Sequence, residues 1–148
     1  MPLQIGDRAP DIHSGEFQLS KLRGKHVVIF FFPKSDTPGC TTEACEFRDA
    51  SKKFSKLDAE IVGISPDQSE AQEKFAAKYG FRYKFVPDPD HAIAEAYGVW
   101  KEKSMYGRKY MGIERTTFLI GPDGKIGKIF AKVKPEGHAA QVLEALAV

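Results

Sequence analysis

The apolar positions of this chain change period several times, and each change marks an element. Residues 26–32, His26-Val27-Val28-Ile29-Phe30-Phe31-Phe32, are continuously apolar after the first. A run of this length, β-branched and then aromatic, predicts a strand buried on both faces of a sheet. Across residues 38–56 the period lengthens, with Ala44, Phe47, Ala50 and Phe54 three or four apart, which predicts a helix. Residues 61–64 form a second short apolar run, ended by Ser65-Pro66-Asp67. Residues 68–79 return to helical spacing through Ala71, Phe75, Ala76 and Tyr79, with Gly80 as the stop. A third strand is expected over 83–86 and a short helix over 92–97. Residues 99–113 show no clear period and are expected to be a loop or excursion. Residues 116–120 and 126–131 flank Gly121-Pro122-Asp123-Gly124 and predict a hairpin. A closing helix is expected over 135–146, with Val142, Leu143 and Leu146 on one face and Pro135 near its first position. The first 25 residues hold turn signals and at most a short strand near Phe17.

The resulting order is strand, helix, strand, helix, strand, short helix, hairpin, helix. Alternation of this kind implies parallel pairing with right-handed crossovers, and the final hairpin adds antiparallel strands. This is the element order of a thioredoxin-like α/β fold, a central mixed sheet flanked by helices, with an N-terminal extension and an insertion. At 148 residues the whole chain, 1–148, is expected to be one domain with a core of its own.

Composition narrows the partners. Net charge is +2, with basic and acidic residues interspersed, so neither nucleic acid nor an anionic membrane is expected as the main partner. The local cluster Lys101, Lys103, Arg108 and Lys109 is expected to be a solvated loop. The first residues lack a basic stretch followed by an apolar core, and residues 27–32 are far too short to span a membrane, so a cytoplasmic protein is the expectation. In a reducing compartment two cysteines serve catalysis more often than a permanent staple.

Cys40 and Cys45 are the only cysteines, and they stand at the start of the predicted 38–56 helix. There, unpaired backbone N–H groups and the helix dipole favour a thiolate. Pro38 suits a position that needs no N–H, Gly39 permits close approach to the backbone, and Thr37 offers a hydroxyl to the sulfur or to a bound oxygen. Ionising a thiol completely raises its thiolate fraction roughly 30-fold at most. A fast thiol reaction therefore also needs fixed donors around the sulfur and the leaving group. Arg115, at the start of the 116–120 strand, is the candidate cation. Residues five apart in an intact helix have Cα atoms about 8–9 Å apart, beyond the reach of an unstrained disulfide. If Cys40 and Cys45 bridge, the helix must first unwind. Three other readings stand beside a redox pair. Zinc would need about four ligands, and His13, His26, His91 and His138 are dispersed. Inert core thiols would be flanked by apolar residues, whereas Thr37, Gly39, Thr41 and Thr42 surround Cys40. A thioredoxin-type dithiol exchanger wants two intervening residues rather than four.

The run Pro33-Lys34-Ser35-Asp36-Thr37-Pro38-Gly39-Cys40-Thr41 resembles the peroxiredoxin pattern P-x-x-x-T-x-x-C. With Cys45, it is similar to the bacterioferritin-comigratory-protein or peroxiredoxin Q group. The likeness extends through Gly6-Asp7-Arg8-Ala9-Pro10-Asp11, Tyr97-Gly98-Val99-Trp100-Lys101-Glu102-Lys103, Met105-Tyr106-Gly107-Arg108-Lys109-Tyr110 and Arg115-Thr116-Thr117-Phe118-Leu119-Ile120. Phe32, where Tyr is frequent, and Gly121, where an acidic residue is frequent, are small departures. The resemblance implies a thiol peroxidase for hydrogen peroxide and organic hydroperoxides. In it Cys40 matches the peroxidatic cysteine, which becomes a sulfenic acid, and Cys45 the resolving cysteine of an intramolecular disulfide. Thr37 and Arg115 match the residues that hold the peroxide oxygens and the thiolate, and Pro33 the residue that shields the pocket. Glu43 matches a residue that orients Arg115. The family implies thioredoxin or a similar dithiol as reductant, no metal, haem or flavin, and a chain that is often monomeric. A protein of another class, switched by the same cysteines to change a binding surface without turnover, remains the rival. Trp100 and residues 106–110 either line a substrate pocket or form an ordinary packed insertion.

Overall fold

The computed structural model describes residues 3–147. A two-residue hairpin of β1 (His13–Ser14) and β2 (Phe17–Gln18), then a 3-10 turn at Leu19–Leu22, forms the N-terminal extension. The elements that follow are β3 (His26–Phe31), α1 (Pro38–Lys56), β4 (Ala59–Ser65), α2 (Ser69–Tyr79), β5 (Lys84–Pro87) and α3 (Ala92–Ala96). After them come β6 (Trp100–Met105), β7 (Arg108–Ile113), β8 (Thr116–Ile120), β9 (Ile126–Phe130) and α4 (His138–Ala147). The central sheet has the order β5-β4-β3-β8-β9. The first three of these strands run parallel, and β8 and β9 are antiparallel additions on the other side of β3.

The continuously apolar β3 lies at the middle of this sheet, where both of its faces are covered. Val28, Phe30 and Phe32 pack with Phe47 and Phe54 of α1, Phe75 of α2 and Val142 of α4. Val27, Ile29 and Phe31 point to the opposite face, against Ile12, Leu19, Tyr97 and Val99. Burial on both faces is why the strand shows no apolar–polar alternation. The aromatic layer on the α1 side leaves no room beside β4. A Cβ at Gly63 would stand 2.9 Å from the rings of both Phe30 and Phe85, so glycine is required by the packing there.

Two expectations need correction. Residues 99–113 are not a loop but a two-stranded ribbon, β6 and β7, closed by Tyr106 and Gly107 at φ 52° and 77°. The ribbon is exposed along most of its length. Strands wet on both faces carry no alternating apolar signal to read. The last helix begins at His138 rather than at Pro135, because Gly137 at φ 80° breaks the helical path between them. Among the described residues no helix is long and apolar enough to cross a membrane.

The register of β8 on β3 brings distant parts of the chain together. Thr116 pairs with Phe31 at the C-terminal end of β3. Arg115, one residue earlier, therefore arrives at the sheet end from which the chain leaves for α1.

Candidate active site

Thr37 adopts extended backbone as the N-cap and Pro38 occupies the first helical position, so Cys40 falls in the first turn of α1. The N–H groups of Gly39 and Cys40 have no carbonyl one turn back within the helix, and the positive end of the dipole lies there. Cys40 is only 1% exposed. The Arg115 guanidinium spans two acceptors: Nη2 donates to Cys40 Sγ at 3.4 Å and Nη1 donates to Glu43 Oε1 at 2.7 Å. Gly39 makes that approach possible, since a Cβ there would stand 3.2 Å from Arg115 Nη2. The close approach permitted by Gly39 is thus made by the guanidinium.

Glu43 is fully buried one turn along from Cys40, and its Oε2 lacks a hydrogen-bond partner among the described residues. Burial raises its pKa to about 7, against the opposing pull of Arg115. In the unfolded chain an ordinary glutamate loses its proton near 4.5, so between the two values the folded protein holds the extra proton. Stability from this group consequently falls as pH rises through that window, by an amount on the order of 3 kcal/mol once pH exceeds about 7. Glu43→Gln is expected to flatten the dependence of Tm on pH between about 4.5 and 8 relative to the unmodified protein. Parallel Tm profiles for the two proteins would show that Glu43 does not titrate in that range.

The remaining expected site residues are distributed unevenly. Pro33 is half-buried just beyond β3, at the same end of the sheet as the start of α1. Thr37 makes no hydrogen bond to the sulfur; its hydroxyl donates to the Lys34 carbonyl at 2.8 Å, which leaves its lone pairs as acceptors. Cys45 lies on the same helix, half-buried, and burial pushes its thiol up from the ordinary value. Both cysteines are free thiols within an unbroken α1. One neighbour carries no sequence signal at all. Tyr83, brought in from the segment before β5, donates its hydroxyl to the Ala44 carbonyl at 2.7 Å, between the two cysteines. Glu43, by contrast, lies three residues after Cys40, and helical spacing alone puts it on the same side of α1. Trp100 stacks on His91 with ring centroids 4.0 Å apart and packs against the core, whereas Tyr106 at the ribbon tip is 98% exposed.

A thiol in the first turn of a helix, with an arginine donor fixed by a buried carboxylate, is suited to attack an electrophilic atom and to steady the negative charge that develops. Residues 5–129 match the AhpC/TSA family. The chain is 46% identical to Peroxiredoxin Bcp of Bacillus subtilis over 151 residues, covering 99% of this chain and 96% of the relative. The chain belongs to the AhpC/TSA family. Within this family its similarity is to the bacterioferritin-comigratory-protein and peroxiredoxin Q group. It is 40% identical to Peroxiredoxin Bcp of Escherichia coli K12, with 96% of this chain and 94% of the relative covered. A cysteine-to-serine variant of peroxiredoxin Q from Xylella fastidiosa superposes with a TM-score of 0.90 at 37% identity, covering 99% of this chain and 97% of that one. These peroxiredoxin neighbours bear out the thioredoxin-like fold, and the family relation supports a thiol-dependent peroxidase, an oxidoreductase. Among the described residues no group of three His, Cys, Asp or Glu side chains could hold a metal.

Proposed function

We propose that the chain reduces hydrogen peroxide and small organic hydroperoxides through Cys40, and recovers through Cys45 and a dithiol protein such as thioredoxin. The observation that carries this proposal is the 3.4 Å approach of Arg115 Nη2 to Cys40 Sγ at the N-terminus of α1. The Cys40 thiolate attacks the distal peroxide oxygen, the O–O bond breaks, and the leaving alkoxide or hydroxide takes a proton to become alcohol or water. Cys40 is left as a sulfenic acid. Thr37 accepts a hydrogen bond from the peroxide O–H, Arg115 holds the oxygen on which charge develops, and Pro33 screens the site from solvent. The Cys45 thiol then displaces water from the sulfenic acid to give a Cys40–Cys45 disulfide, and a dithiol reductant returns both thiols. The alkyl peroxide reduction activity described for the bacterioferritin comigratory protein of Xanthomonas campestris, 44% identical to this chain, supports organic hydroperoxides as substrates. One chain holds both thiols and the groups around Cys40, so a monomer suffices for the oxidative steps, and a reducing compartment such as the cytoplasm suits thiols that must be regenerated.

The disulfide step requires the first turns of α1 to open. Three contacts hold them closed: Arg115 on Glu43, Tyr83 on the Ala44 carbonyl, and the Gly137 N–H on the Glu46 carboxylate at 2.9 and 3.0 Å. Phe47, fully buried and stacked 4.7 Å from Phe30, anchors the helix beyond them. Opening therefore stops short of Phe47.

The test is a coupled assay in which thioredoxin and its reductase consume reduced nicotinamide as peroxide is added. Many turnovers per chain are expected; consumption of one equivalent only would favour a redox-switched binding protein. In Cys45→Ser the first oxidation is expected to survive, trapped as a sulfenic acid. Recycling by thioredoxin should fall at least about tenfold, with no intramolecular disulfide in the mass spectrum. Recycling at the unmodified rate would eliminate the intramolecular route.

A further inference from the structure

Ser65-Pro66-Asp67, which ends β4, meets the loop that leads into the active site. The two segments start side by side, since the Phe32 N–H, just past β3, donates to the Ile64 carbonyl at 3.0 Å. Three donors then converge on one oxygen, Asp67 Oδ2. The Ser35 N–H and the Ser35 hydroxyl each donate at 2.8 Å, and the Ser65 hydroxyl donates at 2.7 Å. Ser65 is fixed in turn by buried Gln72 of α2, whose Nε2 donates to its oxygen at 2.8 Å and to the Val86 carbonyl at 2.9 Å. Asp67 has no ion-pair partner among the described residues; hydrogen-bond donors, two of them from Ser35, answer its charge.

Ser35 belongs to the turn from Lys34 to Thr37. Asp36, next in it, holds φ at 61°, a left-handed value, and its carboxylate accepts from Lys78 Nζ and from the Tyr79 hydroxyl, each at 2.9 Å. The turn closes where the Thr37 hydroxyl donates to the Lys34 carbonyl at 2.8 Å. Thr37 is the N-cap of α1, and an N-cap hydroxyl ordinarily accepts from the N–H two or three residues on, here Gly39 or Cys40. Thr37 makes no such bond. Its oxygen stays open as an acceptor, and no backbone carbonyl or capping hydroxyl among the described residues takes the Cys40 N–H. An open acceptor and an open donor at one helix end suit the O–H and the oxygen of a peroxide. A capping Thr37 would turn each of them to the other.

We propose that Asp67 is a positioning residue for the peroxide step: by anchoring Ser35 it holds the Lys34–Thr37 turn in the shape that keeps the Thr37 hydroxyl on the Lys34 carbonyl and off the Cys40 N–H. The inference rests on Cys40 being the reacting thiol and on Thr37 receiving the peroxide O–H.

The test measures the rate constant for hydrogen peroxide with Cys40 in a Cys45→Ser background, where thiol loss reports the first oxidation alone. Asp67→Ala is expected to lower it about 10- to 50-fold, and Asp67→Asn, which keeps an acceptor oxygen, no more than about threefold. Thr37→Val lowers the same rate. In that background Asp67→Ala should cost less than about twofold more, because both act through one hydroxyl. Alkylation of Cys40 by iodoacetamide at pH 7 uses neither group and should stay within about threefold of the parent in Asp67→Ala. A parent-like peroxide rate in Asp67→Ala would overturn the proposal. So would a loss that multiplies with that of Thr37→Val, or an equal slowing of alkylation, since each marks a general disturbance of the site. An Asp67→Asn rate as low as that of Asp67→Ala would overturn it too, by making charge rather than anchoring responsible. If Asp67→Ala does not fold, Ser35→Ala removes one of the two bonds to the turn and carries the same comparison, with an expected loss of about threefold to fivefold. A crystal structure of the Asp67→Ala or Ser35→Ala variant tests the hold on the turn without any peroxide. The Thr37 hydroxyl is expected to have left Lys34 for the Cys40 N–H, and an unchanged turn would overturn the proposal. Should the parent fail to react with peroxide while the turn relaxes in this way, the proposed function falls and the hold of Asp67 on the turn stands.

Discussion

Cys40→Ser is expected to lower peroxide turnover by at least about 10³-fold while leaving the fold intact. The substitution exchanges one atom in a site that is 1% exposed, so the packing of Cys40 beneath the first turn of α1 changes little. The Arg115 donor stays in place, held by Glu43 at 2.7 Å. What is lost is the nucleophile, because a serine hydroxyl does not ionise near neutral pH and the guanidinium beside it, already protonated, cannot take its proton. Cys45 cannot take over, since no guanidinium among the described residues donates a hydrogen bond to its sulfur and burial pushes its thiol up, against the pull of Arg48. The coupled thioredoxin assay measures the loss, and a Tm close to that of the parent shows that it is chemical. Turnover within tenfold of the parent would place the chemistry away from Cys40.

The second large effect concerns Arg115. Arg115→Met removes the donor to Cys40 and the only hydrogen-bond partner of buried Glu43 among the described residues. Loss of a fixed donor where charge develops is expected to reduce the peroxide rate about 10²- to 10³-fold. Stability should fall as well, by up to about 3–5 kcal/mol where Glu43 would be ionised. Below about pH 7 the carboxyl holds its proton and the loss of stability is smaller. The double variant Glu43→Gln with Arg115→Met separates the two effects. It should recover much of the lost Tm above pH 7 and none of the lost activity. Recovery of both would mean that Arg115 acts only as a counter-ion. Arg115→Lys is expected to lose most of the activity too, because one ammonium cannot reach Glu43 Oε1 and Cys40 Sγ with the two-edged geometry that the guanidinium uses.

Much of the framework was legible along the chain. The apolar run 26–32 marked the central strand, and the spacing of Ala44, Phe47 and Phe54 marked the buried side of α1. Each of these segments buries a full face, so its period survives in the sequence. The ribbon of β6 and β7 was missed because neither of its faces is covered over most of its length. Pro135 suits a first helical turn, but Gly137 interrupts it and the closing helix starts three residues later, at His138.

Neighbours along the chain set the chemistry available to this protein. They supply two thiols within one helix, a proline and a glycine that shape its first turn, and a separation that bars a disulfide while the helix is intact. What surrounds the sulfur depended on folding instead. Arg115 reaches it through the antiparallel register of β8 on β3, and Tyr83 clamps the Ala44 carbonyl from the segment leading into β5. Glu43 would have its ordinary acidity were it not for burial. Contacts between residues 39 to 75 positions apart leave no periodic trace in a single chain, because they are set by strand register and by the desolvation that packing imposes.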